Sequence, residues 1–153
     1  MTFRPTLAWS VEEKQLRDLL FPVAVSPKYD GVRALVRGGY VLSRTLKPIP
    51  NKTVQQMFSH PEYGGFDGEL MLFDQMTWTP IYIHEISGAV RRAECDKPFT
   101  FMVFDDWREP RRTWFERHEG LQSRFSLNRE KSIQLVPQKL CYSAEEILQE
   151  EEE

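Results

Sequence analysis

Val23-Ala24-Val25-Ser26-Pro27-Lys28-Tyr29-Asp30-Gly31-Val32-Arg33 is the stretch on which the reading of this chain turns. Its apolar start, Val23-Ala24-Val25, reads as a short buried strand that delivers Lys28 at its end. Upstream, Ser10 precedes Val11-Glu12-Glu13-Lys14-Gln15-Leu16 with Glu13 at the capping-box position. That spacing predicts a short helix to about Leu20, ended by Pro22. Downstream, the runs Arg33 to Val36 and Tyr40 to Ser43 meet at Gly38-Gly39, a hairpin signal. Beyond a proline-rich loop from Thr45 to Pro50, Lys52 to Phe58 reads as a short helix. Phe66 to Phe73 reads as a strand introduced by Gly64-Gly65.

The rest continues the alternation. Ile86 to Arg92 reads as a short helix and Phe99 to Phe104 as a strand. Thr113 to Phe125 has helical periodicity through Trp114, Leu121 and Phe125. Ile133 to Val136 reads as a strand closed by Pro137. Ser143 caps a last helix from Ala144 to Gln149, whose Glu145 and Glu146 complement its positive end. There is no internal repeat and no low-complexity linker. The expectation is an antiparallel-rich α+β fold in a single domain over residues 1–153.

Bulk properties exclude several classes. Of the 153 residues, 41% are apolar and 28% charged, ordinary values for a globular chain. No apolar run approaches the length that crosses a bilayer. Met1-Thr2-Phe3-Arg4-Pro5 has no apolar h-region, so neither a secretory signal nor a membrane partner is expected. Cys95 and Cys141 stand alone, which argues against a zinc site or a disulfide framework and fits a reducing, cytosolic setting. The net charge of −3 conceals an asymmetry, because residues 143–153 carry six glutamates and no Lys or Arg. Without them 20 basic residues face 17 acidic ones, and residues 1–58 alone hold nine basic against four acidic. That half suits a polyphosphate or a nucleic acid, although on charge alone a solvated mixed surface is the favoured reading.

Three segments set polar groups at strand ends or in turns beside them: Lys28 to Arg33, Ser43-Arg44-Thr45-Leu46-Lys47-Pro48-Ile49-Pro50-Asn51, and Phe66-Asp67-Gly68-Glu69-Leu70. A lysine amine is a nucleophile only when neutral, and partial burial or nearby cations such as Arg33 and Arg44 favour that state. Arginines grip phosphate and ribose oxygens through paired N–H donors. Glu69 offers a carboxylate for a ribose hydroxyl or a divalent metal. Gly31 and Gly68 permit tight turns and close ligand approach.

These segments resemble a known superfamily. Lys28-x-Asp30-Gly31-x-Arg33 resembles motif I of the covalent nucleotidyltransferases, which comprise ATP-dependent DNA ligases, RNA ligases and mRNA capping enzymes. Ser43-Arg44 resembles motif Ia, Phe66 to Leu70 motif III, and Phe101-Met102-Val103-Phe104-Asp105 motif IIIa. The four occur in the family's order over about residues 22–142, and the Ser43–Asn51 stretch is most similar to bacterial and phage ATP-dependent DNA ligases. The resemblance implies an adenylation (nucleotidyltransferase, ATP-grasp-like) domain with ATP and Mg²⁺ as cofactors and nicked double-stranded DNA as partner. It further implies nick sealing in replication, repair and recombination, in the cytoplasm of a bacterial or phage-infected cell. Lys28 would accept AMP from ATP and pass it to the 5′-phosphate of the nick. Arg33 and Arg44 would contact ribose, phosphates or the DNA 5′-phosphate, and Glu69 would bind ribose, with a weaker implied role at the metal. Phe104 would stack on adenine and Asp30 would order the motif I loop.

The pattern also departs from the family. Ser26 stands where bacterial and phage ligases often carry an acidic residue contacting adenine. Motifs IV and V and the OB fold that follow in the family have no counterpart, so residues 1–153 read as the front part of the domain, motifs I to IIIa. A separate chain supplying the rest is one expected partner. Glu119-Gly120-Leu121 imitates motif IV, but its periodicity places it inside a helix. A non-catalytic ATP- or DNA-binding remnant, and an RNA ligase or capping-type enzyme, remain as alternative readings. His60, His84 and His118 lack metal spacing. Asp105 and Asp106 are expected to pair locally beside Arg108, and Trp78, Trp107 and Trp114 to pack rather than stack on bases.

Overall fold

The computed structural model describes residues 5–7, 10–126 and 130–152. In chain order the elements are α1 (Glu13–Leu16), β1 (Val23–Val25), β2 (Val32–Arg37), β3 (Tyr40–Ser43), α2 (Lys52–Phe58), a 3-10 turn (Pro61–Tyr63) and β4 (Phe66–Met71). Then come α3 (Ile83–Arg91), β5 (Thr100–Asp106), α4 (Trp114–Phe125), β6 (Ile133–Leu135), β7 (Lys139–Cys141) and α5 (Ala144–Glu152). The chain divides into two compact units. One spans Tyr29–Leu135, and the other joins Pro5–Lys28 to Val136–Glu153.

The larger unit is built on a five-stranded sheet of order β3-β2-β4-β5-β6. Every pairing is antiparallel except β5 with β6, which are parallel and joined through α4. A parallel pair needs such a crossover, and a helix usually supplies it. The β2–β3 hairpin closes at Gly38-Gly39, where φ is +58° and +78° and Arg37 pairs with Tyr40. Two successive positive φ values are what a two-residue hairpin turn demands, and glycine adopts them without steric cost.

Directly opposite residues in a sheet share a face. The register puts Val32, Ala34, Gly68, Leu70, Phe101 and Val103 on one face, and Arg33, Leu35, Asp67, Glu69 and Met102 on the other. The first face is wholly apolar. Phe58 of α2 leans on Phe101 there, with ring centroids 5.6 Å apart. The second face carries the charge, and its order along β2 and β4 follows from the two-residue side-chain period alone.

Asn51 fixes α2 to α3. Its Oδ1 accepts from the Val54 N–H at 2.9 Å, capping α2. Its Nδ2 donates toward the carbonyls of Ala89, Arg92 and Cys95 at 3.1, 2.9 and 2.8 Å. The side chain is completely buried. Gln55, one turn on, bonds both the N–H and the carbonyl of Val41 and the carbonyl of Ile49, so the segment after β3 is pinned back onto that strand.

Several elements differ from expectation. α1 is one turn long, and its capping box joins Glu12 and Gln15, the Glu12 N–H donating to Gln15 Oε1 at 2.8 Å, rather than Ser10 and Glu13. It buries no residue, and a helix this short needs an apolar face to extend. α3 starts at Ile83 rather than Ile86. β7 is additional: Lys139-Leu140-Cys141 has no alternating pattern and is a strand because it pairs antiparallel with β1, Val23 opposite Cys141. α5 continues past Gln149, where Glu150 forms an ion pair with Lys139 of β7, while Ser143 caps it as expected by accepting the Glu146 N–H.

Candidate functional site

The site is assembled where β2, β4 and β5 lie side by side. Arg33 and Glu69 are direct cross-strand partners on the charged face. Two residues back along β4, Asp67 receives Arg33 through two parallel bonds, Nε to Oδ1 at 2.5 Å and Nη2 to Oδ2 at 2.8 Å. The geometry is the bidentate fork that makes arginine–carboxylate pairs specific. Asp67 is 4% exposed. Burial pushes its carboxyl above the ordinary range, and the bond and charge of Arg33 oppose that shift. Burial pulls in the lowering direction on Arg33, but Asp67 and then Glu69 more than compensate, so the guanidinium is held firmly protonated.

Phe104 joins this group through an irregularity. Gly68 is opposite Val103 and Asp67 is opposite Asp105, which leaves Phe104 as an extra residue in β5. Such a bulge bends the strand and re-aims a side chain. The Phe104 ring lies under the Arg33 guanidinium, 4.7 Å from carbon to centroid. Gly68 makes the bulge sterically possible, since a Cβ there would stand 2.2 Å from the Met102 carbonyl oxygen. A Cβ at Gly31 would stand 2.4 Å from that of Leu70. Both glycines therefore serve close strand packing. Their chain position was legible, but their purpose is backbone contact rather than an approach to ligand.

The structure thus brings together Arg33, Glu69 and Phe104, and adds Asp67. In the sequence Asp67 stands within a motif without an evident role of its own. The available signal was its spacing, two residues before Glu69 and hence on the same strand face. Arg44 follows β3 at the head of a turn closed by Ser43 N–H to the Lys47 carbonyl and Leu46 N–H to the Ser43 carbonyl, both at 2.8 Å. Arg44 is exposed. Lys28 follows β1 by three residues and is exposed. Asp30 is exposed on the segment leading into β2.

Among the described residues no three His, Cys, Asp or Glu side chains gather as a metal cage. A single carboxylate such as Glu69 is compatible with Mg²⁺ in one form. This ion commonly takes one or two carboxylates and completes its shell with phosphate oxygens and water, so Glu69 would hold it only alongside a triphosphate.

The remaining candidates resolve into packing. Asp105 is bound by Arg117 at 2.8 and 2.9 Å, and Asp106 by Arg108 and by Arg124 at 2.6 Å. Asp106, Arg108, Arg112 and Arg117 line a pocket of about 40 Å³, room for a few waters rather than a nucleotide. Trp114 stacks on His118 at 4.8 Å, Trp78 on Phe73 at 4.7 Å, and Trp107 lies beneath Arg37. Glu119-Gly120-Leu121 sits inside α4 with Leu121 buried. No helix among the described residues is long and apolar enough to cross a membrane.

No family model matches the chain, and no curated protein matches it. Solved structures do. A Chlorella virus DNA ligase–adenylate superposes with a TM-score of 0.78 at 24% identity, covering 97% of this chain and 54% of that one. A Lig E DNA ligase gives 0.67 at 17% identity, over 99% of this chain and 57% of that one. The ATP-dependent DNA ligase of bacteriophage T7 in complex with ATP gives 0.58 at 17% identity, over 90% and 54%. The chain spans about half the length of the solved structures it matches. The antiparallel-rich α+β architecture described above is accordingly the fold these DNA ligases share.

Proposed function

We propose that the chain carries the nucleotide-binding core of an ATP-dependent DNA ligase and that Lys28 is its nucleophile. The observation that supports this most is the grouping of Arg33, Asp67, Glu69 and Phe104 at one bulged row of a ligase-type sheet. In this reading the neutral Lys28 amine attacks the α-phosphate of ATP. A phosphorus–nitrogen bond forms, the bond to pyrophosphate breaks, and Lys28 gives up a proton. Arg33, kept cationic by Asp67, and the exposed Arg44 hold phosphate or ribose oxygens. Glu69 accepts from a ribose hydroxyl, and Phe104 offers adenine a stacking face worth about 1 kcal/mol. Asp30 orders the segment around Lys28. Mg²⁺, when bound with ATP, neutralises the triphosphate. The AMP then moves to the 5′-phosphate of nicked DNA, where the 3′-hydroxyl displaces it. The reading takes residues 1–153 as motifs I to IIIa of the domain, in the cytoplasm of a bacterial or phage-infected cell. In this reading a motif IV carboxylate, the motif V lysines and an OB fold complete the catalytic machinery.

The test is incubation with α-labelled ATP and magnesium followed by denaturing electrophoresis. Wild-type protein is expected to carry an acid-labile AMP label, and Lys28→Ala none. Label persisting in Lys28→Ala would remove the nucleophile assignment. Absence of label from wild type, alone and with nicked DNA, would remove independent adenylation.

A further inference from the structure

Residues 31–61 contain five cations, Arg33, Arg37, Arg44, Lys47 and Lys52, and no Asp or Glu. The β2–β3 hairpin, which carries Arg33 and Arg37 and leads into the turn with Arg44 and Lys47, forms one border of the sheet, with β3 outermost. Two of the five are neutralised from elsewhere in the fold: Arg33 by Asp67 of β4 and Lys52 by Glu94. Among the described residues Arg37, Arg44 and Lys47 have no carboxylate within ion-pair distance, and all three are exposed. The Arg37 guanidinium rests over the Trp107 ring at 5.4 Å, which orients the cation without cancelling its charge.

Edge strands often carry cations simply to repel a second strand. That explanation is weak here because the edge is already occupied. The Ser43 N–H bonds the Lys47 carbonyl at 2.8 Å, the Ile49 N–H bonds the Val41 carbonyl at 2.9 Å, and Gln55 clamps the returning segment. The same bonds make the border stiff. They fix Arg44 and Lys47 in a closed turn beyond Ser43, while Arg37 stands opposite Tyr40 at the other end of β3. The four residues of β3 span about 14 Å.

We propose that Arg37 and Lys47 extend the Arg44 position into a track for the phosphodiester backbone of duplex DNA along the β2–β3 hairpin. The proposal rests on the reading of DNA as the substrate, and it assigns to two residues outside the nucleotide site the grip on DNA away from the nick. Fluorescence anisotropy with a nicked duplex, titrated at several salt concentrations, tests it. Removing one cation that neutralises a phosphate makes the slope of log affinity against log salt shallower by about 0.9. The double variant Arg37→Ala/Lys47→Ala is expected to lower the slope by about 1.8. Lys52→Ala, whose charge Glu94 already answers, is expected to leave it unchanged, and Arg37→Lys/Lys47→Arg to keep the wild-type slope.

An unchanged slope in the double alanine variant overturns the track, as does wild-type protein that does not bind the duplex. An equally reduced slope in Lys52→Ala also overturns it, because diffuse charge would then explain binding. Lysyl–AMP labelling of the wild-type preparation separates the two readings. Label with an unchanged slope removes the track and leaves the ligase reading. A reduced slope without label removes independent adenylation and leaves the track.

Discussion

Two regions of the larger unit are rich in arginine and differ in what surrounds it. Between β5 and α4, Arg108, Arg112, Arg117 and Arg124 all face carboxylates, from Asp105, Asp106 and Glu109. On the β2–β3 hairpin the cations Arg37, Arg44 and Lys47 face none among the described residues. Density of positive charge in the sequence is therefore a poor guide to an anion-binding surface. The segment from Trp107 to Arg112 looks more basic than the hairpin, yet its Arg108 and Arg112 are paired with Asp106 and Glu109. Arg124 shows this best. It bonds Asp106, reaches the Glu62 and Gly64 carbonyls, and lies over Phe66 at 4.0 Å. A side chain with so many internal partners has little left to offer a ligand.

The contrast can be broken most forcefully at Asp106. Asp106→Ala leaves the mostly buried Arg124 without its carboxylate, and removing one member of such a pair typically costs about 3 kcal/mol. Urea denaturation is expected to show a loss of that order. A loss under about 1 kcal/mol would mean the paired region is held by something other than its ions. Asn51→Ala comes next. It strips the α2 cap and leaves carbonyls of Ala89, Arg92 and Cys95 short of a donor, for an expected ~2 kcal/mol by the same assay. Arg37→Ala on the unpaired side forfeits one exposed cation–π contact, about 0.5 kcal/mol. A thermal melt indistinguishable from wild type, alongside a changed salt slope in DNA binding, would sharpen the division between structural and available cations.

The smallest effect concerns acid. Glu116 accepts from the Thr113 hydroxyl at 2.8 Å and from its N–H at 2.7 Å, and these bonds hold its carboxyl below the ordinary range. The unfolded chain therefore binds the proton first as pH falls. Stability from this capping box is complete above the unfolded value and is lost as pH drops through the lower folded one. Melts from neutral to acidic pH should show a slightly shallower decline for Glu116→Gln than for wild type.

Much of this was legible from sequence. The hairpin was visible in Gly38-Gly39, the buried strands in their apolar runs, and α4 in its periodicity, because each is a local pattern. Lys28, Arg33, Arg44, Glu69 and Phe104 were picked out by motif order, and the fold then joined Arg33, Glu69 and Phe104. What escaped depends on contacts distant in the chain. Asp67 became a partner of Arg33 only through the β2–β4 register. Asn51 belonged to a stretch read as functional, but its side chain is consumed by α2 and α3. β7 has no pattern of its own and exists because β1 accepts it.

The extra residue in β5 has a consequence of another kind. Side chains alternate along a strand, so a single inserted position reverses parity for everything beyond it. With Phe104 accommodated as a bulge, Asp105 faces Asp67 and Asp106 faces Phe66. Were Phe104 a regular position instead, Asp105 would fall opposite Asp67's neighbour Phe66, and the two aspartates would exchange faces of the sheet. Part of this site is thus written as a count of residues rather than as their identities. Along Val103-Phe104-Asp105, a conservative substitution should be tolerated more readily than the insertion of a further residue.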